Sequence, residues 1–245
     1  MIRTSLAALA LAATPAVALD VSTMTALERD AFRAEVRAYL LENPEVLMEA
    51  IDVLEARQAS SQANSDAALV SANYDALVED DHSWVGGNPD GDVTIVEFLD
   101  YRCGFCRRAF PEVEELVETD GNIRIIVKEF PILGPQSDLA SRFAIATKIT
   151  AGDAAYKGVH DALMTFRGQV SMPALMRLAD DEGLDGEAIS AQMTSDTVTE
   201  IIAENRALAR SMQITGTPTF VIGGQMLRGF LPVDGMREIV AEERG

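Results

Sequence analysis

The sequence predicts an α/β domain preceded by a helical arm. Residues 93–99 and 123–127 are short apolar runs of strand type, separated by one amphipathic helical pattern through Phe110, Val113, Leu116 and Val117, so they make a strand–helix–strand unit. Residues 138–212 are almost wholly helical in period, and residues 219–222 and 226–228 flank Gly223-Gly224 as a hairpin. Ahead of all this, residues 27–77 keep helical spacing up to the turn-rich stretch Gly86-Gly87-Asn88-Pro89-Asp90-Gly91, where the main domain is expected to begin.

The elements follow in order. Residues 1–18 have one basic residue, Arg3, a run of small residues and leucines, then Pro15 and Ala16-Val17-Ala18, the pattern of a cleaved export signal with an A-x-A site. The expected exported chain begins at Leu19. In the arm, residues 19–80, a first helix carries Phe32, Val36, Tyr39 and Leu40. Asn43-Pro44-Glu45 then reads as an N-cap, a proline in the first turn and an acid at the positive end of the dipole. The second helix continues through Leu47, Ile51 and Leu54 to Ala63, Ala67, Val70, Tyr74 and Leu77, close to a 3.5-residue repeat. Such a seam can pack on its own domain or on the same arm of a second copy; self-association is the preferred expectation.

The main domain is expected over residues 81–245, with a helical insertion at about 137–212. Gly168 and Gly183 separate the inserted helices, one stripe runs Tyr156, Val159, Leu163 and Phe166, and the longest inserted helix is capped near Ser195. A last helix covers residues 233–241. The methionines of the insertion, Met164, Met172, Met176, Met193 and Met212, can line a flexible groove or simply fill the core, and core packing is the expectation.

Charge narrows the partners. With 39 acidic against 20 basic side chains the formal charge is −19, which repels phosphate backbones, so nucleic acid is not an expected partner.

Only two cysteines are present, Cys103 and Cys106 in Cys103-Gly104-Phe105-Cys106, placed where a strand ends and a helix begins. Free amides and the dipole at a helix start favour a thiolate, and Arg107 and Arg108 add positive charge. Cys103, at the outer end, is the expected nucleophile; Cys106, one turn further in, can attack a mixed disulfide formed on Cys103. Other uses of the pair stay open at this level: copper(I) binding by two soft thiolates, a zinc site completed by carboxylates with His82 or His160, a cysteine nucleophile paired with His160, or an inert buried pair.

Taken together, these residues resemble the thioredoxin superfamily, and within it the exported DsbA-like thiol–disulfide oxidoreductases that carry an N-terminal helical arm. The segment from Val96 to Cys106 resembles their strand and active-site turn, Pro111 falls where they have a proline in the active-site helix, and Thr215-Gly216-Thr217-Pro218-Thr219-Phe220 resembles their cis-proline segment. The similarity runs from about Val85 to the C-terminus. It implies a thioredoxin-like fold with a helical insertion, and a redox-active Cys103–Cys106 disulfide that needs neither an organic cofactor nor a metal.

The resemblance also implies roles residue by residue. Glu97 is expected as a buried acid beneath the pair that relays the proton of Cys106, with Lys128 as its basic partner. Gly104, Phe105, Thr217 and Pro218 are expected against the substrate, with a cis bond at Pro218 turning the Thr217 backbone toward Cys103. Threonine before that proline is more like the bacterial isomerases than the strong oxidase. The implied partners are unfolded or misoxidised exported proteins and a membrane redox protein, the implied location is the periplasm, and the arm implies a homo-oligomer. Copper(I) handling and a holdase chaperone are the alternative functions.

Overall fold

The computed structural model describes residues 23–245; the expected signal at residues 1–18 lies outside them. The chain divides into two compact units, one ending at Gln58 and one covering Ala59–Gly245.

In the first unit, helix α1 (Ala26–Glu42) opens with a reciprocal cap. The Thr25 hydroxyl accepts the Glu28 N–H at 3.3 Å, and the Glu28 carboxylate accepts the Thr25 N–H at 2.9 Å. Asn43, expected to cap the following helix, instead closes α1, its side-chain amide donating to the Tyr39 carbonyl at 2.9 Å. The start of α2 (Glu45–Ala72) is left to Pro44, whose fixed φ suits that place. No side chain of α1 is buried, and Phe32, Val36 and Tyr39 all lie exposed on it, as do Leu47, Ile51 and Leu54 on α2.

In the second unit the end of α2 buries Asp66 and Val70. The helix expected to run on to Leu77 breaks at Asn73, whose amide caps the Leu69 carbonyl at 2.8 Å, and a short α3 (Tyr74–Val78) follows. The break lets Leu77 and Val78 turn into one hydrophobic cluster with Val96, Phe98 and Ile126. Of the expected seam, Val70 and Leu77 are therefore core of the domain, while Ala63, Ala67 and Tyr74 stay exposed.

A five-stranded sheet runs in the order β1-β3-β2-β4-β5, made of β1 (Trp84–Gly87), β2 (Val93–Leu99), β3 (Ile123–Glu129), β4 (Thr219–Ile222) and β5 (Gln225–Arg228). β2 and β3 are parallel; the other pairings are antiparallel. The parallel pair is joined by α4 (Gly104–Asp120), which ends at Gly121 in the left-handed region at φ 71°. β1 corrects the expectation of a turn at Gly86-Gly87. Gly87 adopts φ +67° with the Ile123 carbonyl where a Cβ would stand, so these glycines serve an edge strand that lies close against β3.

The insertion comprises α5 (Pro135–Ala151), α6 (Asp153–Thr165), α7 (Met172–Asp181), α8 (Gly186–Gln192) and α9 (Asp196–Ser211); α10 (Val233–Arg244) ends the chain. Met164, Met193 and Met212 are buried in the core, not in an open groove.

Strand alternation divides the interior. Ile95 and Leu99 of β2, Ile125 and Val127 of β3, and Phe220 pack with α4, α10 and the insertion in one cluster. Val96, Phe98, Ile126 and Val221 pack on the opposite face with Ala209, Met212, Leu77 and Val70. Phe98 is fully buried there, a burial that stabilises by about 2–3 kcal/mol. This parity decides the surroundings of the two charged strand residues, Glu97 and Lys128.

Candidate active site

The site is built at the C-terminal end of β2. Asp100, fully buried, accepts the Arg102 N–H at 2.8 Å with one oxygen and the Ile132 and Leu133 N–H groups at 2.8 and 3.0 Å with the other. It thereby ties the turn before the cysteines to the loop after β3. The Cys103 N–H donates to the Asp100 carbonyl at 2.9 Å, and Cys103 is the N-cap residue of α4. Cys103 is 7 % exposed and Cys106 is sealed. The intervening Gly104 and Phe105 are exposed, Phe105 by 60 %.

The opposite wall is the Thr217–Pro218 segment, whose peptide bond is cis. The Thr217 carbonyl oxygen lies 3.1 Å from Cys103 Sγ. Two hydrogen bonds hold this wall, from Thr219 Oγ1 to the Gly216 carbonyl and from the Gly229 N–H to the Pro218 carbonyl, each at 2.9 Å. The expected juxtaposition of Cys103, Cys106, Thr217 and Pro218 is thus present.

The electrostatics separate the two sulfurs. Cys103 is drawn down to about 5, first by a hydrogen bond from the Cys106 thiol; burial works against this, while the Thr217 side chain and the Cys106 and Phe105 amides assist. Burial pushes Cys106 far above the ordinary thiol range, reinforced by its bond to Cys103 and by the charge of Glu97. Near neutral pH the dithiol therefore holds a thiolate at Cys103 and a thiol at Cys106 that donates to it.

Glu97 shares the face of Ile95 and Leu99, beneath α4. It is 3 % exposed, and its Oε1 has no hydrogen-bond partner among the described residues. Burial first, then the negative charges of Glu114 and Glu129, push its carboxyl up to about 8. A carboxyl that keeps its proton at neutral pH, coupled electrostatically to both cysteines, is equipped to exchange protons with Cys106.

Lys128 is not its partner, and here the expectation is corrected. In the parallel register Glu97 pairs with Val127 while Phe98 pairs with Lys128, so alternation sends the lysine to the other face of the sheet. There Lys128, fully buried, forms an ion pair with Asp80 and donates to the Ala76 carbonyl at 3.1 Å. Burial holds the lysine below its usual range, against the attraction of Asp80.

The residue that does share the face of Glu97 is Glu129, which sequence reasoning missed. Its Oε1 accepts the Tyr101 and Tyr156 hydroxyls at 2.7 and 2.6 Å, and the Tyr101 hydroxyl also lies 3.1 Å from His160 Nδ1. Burial lifts Glu129 to about 7 despite these donors, and burial drives His160 down to about 3. The available signal was the alternation itself, because an acid next to Lys128 on one strand must face the opposite way. Asp100 gave no such signal, since its role depends on a loop 30 residues away. Among the described residues no group of three or more His, Cys, Asp or Glu side chains is arranged to hold a metal ion.

Residues 94–241 match the family described as DSBA-like thioredoxin domain, and residues 28–60 match the copper resistance protein ScsC N-terminal domain. A thioredoxin-like oxidoreductase from Silicibacter pomeroyi is 40 % identical, with a TM-score of 0.66 over 70 % of this chain and 98 % of that one. BcfH of Salmonella enterica Typhimurium is 28 % identical, with a TM-score of 0.74 over 89 % and 96 %. Among curated proteins, a Na(+)/H(+) antiporter NhaA 1 of Salinispora arenicola is 29 % identical over 66 % of this chain, and the chain spans about a quarter of that protein's length. With the cysteine pair, the cis-proline wall and the sheet order in place, this chain belongs to the DsbA-like thioredoxin domain family.

Proposed function

We propose that the protein is an exported, periplasmic thiol–disulfide oxidoreductase acting on protein cysteines through Cys103 and Cys106. The observation that carries the proposal is the Cys103 sulfur, held at the start of α4 beside Cys106 and 3.1 Å from the Thr217 carbonyl. In the oxidising direction a client thiolate attacks Cys103 Sγ, the Cys103–Cys106 bond breaks, and Cys106 leaves with its electron pair and takes a proton from Glu97. A second client thiolate then attacks the client sulfur of the mixed disulfide and expels Cys103 as a thiolate. The client has gained a disulfide, and two electrons reside on the cysteine pair. In reverse, Cys103 attacks a client disulfide and Cys106 resolves the intermediate, passing its proton to Glu97 once that carboxyl has released its own. An extended client can pair with the Thr217 backbone while its side chains lie against Phe105, which tolerates varied sequences.

A thiolate near 5 stabilises the reduced form. Superfamily members with active-site cysteines at about 3.5 and about 7 have potentials of about −120 and −270 mV, and we place this couple between them, where a protein can oxidise clients or rearrange wrong disulfides. The exposed apolar residues of α1 and early α2 support self-association, which would set several active sites around shared clients and favour isomerisation.

The test is repair of scrambled ribonuclease. The wild type accelerates it, Cys103→Ser abolishes the effect, and Cys106→Ser accumulates a mixed disulfide with the client. Full activity in Cys103→Ser would contradict the proposal. A second reading, copper(I) binding by the same two soft thiolates, is favoured by the match of residues 28–60 to a copper-resistance family. It predicts tight copper(I) binding by the reduced pair and no ribonuclease repair. A holdase predicts full suppression of aggregation by Cys103→Ser with Cys106→Ser.

A further inference from the structure

A cleft of about 950 Å³ opens beside the cysteine turn, and Arg102, Arg107 and Arg167 line it with Phe110 and Pro111. Arg102 is the residue before Cys103, and the Arg107 N–H donates to the Cys103 carbonyl at 3.1 Å, so the cleft adjoins the redox pair. Two of the guanidinium groups are fixed by uncharged acceptors. Arg102 donates to the Gly168 carbonyl at 2.9 Å, and Arg107 donates to the Met164 carbonyl at 2.8 Å and to the Phe166 carbonyl. Among the described residues none of the three arginines has a carboxylate at ion-pair distance, although the chain carries 39 acidic side chains. Three clustered, uncompensated cations repel one another, a cost that an anionic ligand would relieve; Arg107 is held below its ordinary range first by burial and then by Arg102 and Arg167.

We propose that this cleft is a recognition site for acidic segments flanking the reactive cysteine of a client protein. Planar guanidinium groups pair with carboxylates in a fork, and the apolar surface of Phe110 and Pro111 suits the methylene stems of glutamate. The net charge of −19 does not forbid such a ligand. At physiological salt, charges more than about 8 Å away are largely screened, so the three arginines set the local field. An anionic lipid surface is disfavoured because it would bring the net charge of −19 against an extended like-charged sheet.

The inference rests on the thiol–disulfide reading, and the experiment keeps the two apart. Two synthetic peptides carrying one cysteine as a thiopyridyl disulfide, with three flanking glutamates or three glutamines, are mixed with the full-length reduced protein, and thiopyridone release is followed. The glutamate peptide is expected to react about tenfold faster at low ionic strength, with the ratio falling toward one in high salt. Arg167→Gln should cut the ratio severalfold and leave the glutamine-peptide rate unchanged; Arg167→Lys should retain most of the preference. A ratio of one in the wild type, or an undiminished ratio in Arg102→Gln with Arg167→Gln, overturns the proposal. If neither peptide reacts faster than with free glutathione, the redox reading fails instead. Recognition is then decided by calorimetry of Cys103→Ser with cysteine-free peptides: tighter binding of the glutamate peptide upholds the site, and equal binding removes it.

Discussion

Cys103 Sγ and the Thr217 carbonyl oxygen stand 3.1 Å apart across 114 positions of sequence. One belongs to the turn after β2, the other to the segment entering β4, and the antiparallel pairing of those two strands, Phe98 with Thr219 and Glu97 with Phe220, brings them together. The nucleophile and the backbone that would receive a client are thus set by neighbouring strands of one sheet, not by a mobile loop.

Glu97→Gln tests the buried acid. Removing its proton exchange should slow resolution of a mixed disulfide by about tenfold or more, measured by quenched-flow alkylation. Stability gives a second readout. A carboxyl at about 8 in the folded protein holds a proton that the unfolded chain releases above about 4.5, so its effect is to lower stability as pH rises from 4.5 to 8. Denaturant unfolding should therefore show the variant gaining on the wild type between pH 5 and pH 8. A constant difference across that range would mean Glu97 is not held protonated.

Lys128→Met separates structure from chemistry. The substitution takes the lysine charge away from Asp80, which keeps its hydrogen bonds from Ser83 and its contact with His82, and a loss of about 1–3 kcal/mol is expected. The equilibrium of the cysteine pair with glutathione should move by no more than about twofold, because Lys128 lies across the sheet from Glu97. A large redox shift without loss of stability would place the lysine in the proton path after all.

Sedimentation tests the arm. A chain lacking residues up to Gln58 should be monomeric where the intact one associates, and Phe32→Asp with Val36→Asp should act the same way. The cut belongs at Gln58, since removal through Leu77 would also take Val70 and Leu77 out of the core cluster. A monomer in every form would remove the argument for several active sites sharing one client.

What the sequence made legible was the local chemistry. Cys103, Cys106 and Pro218 could be placed because a strand run, a C-x-x-C and a T-P-T-F segment are each readable over a few residues. Glu97 was expected beneath the pair from the resemblance, and the structure buries it on the face of Ile95 and Leu99. Lys128 was misassigned because a resemblance names a residue type on a strand, whereas the face it occupies depends on register, and a shift of one position reverses it. The division of the arm was hidden for a related reason. Val70 and Leu77 sit on a helical apolar stripe just as Phe32 and Val36 do, and only the sheet face waiting to be covered distinguishes them. The cleft of Arg102, Arg107 and Arg167 depends on Gly168 and Met164 approaching the cysteine turn, contacts spanning 57 and 66 positions that no local pattern reports.

The most direct measurement is the thiolate absorbance of the reduced protein as a function of pH. Half-ionisation near pH 5, absent from Cys103→Ser and retained when Glu97 is replaced by Gln, is the predicted result. A wild-type titration near pH 9, the range of an ordinary thiol, would contradict it and leave Cys103 without the reactivity on which the proposed exchange depends.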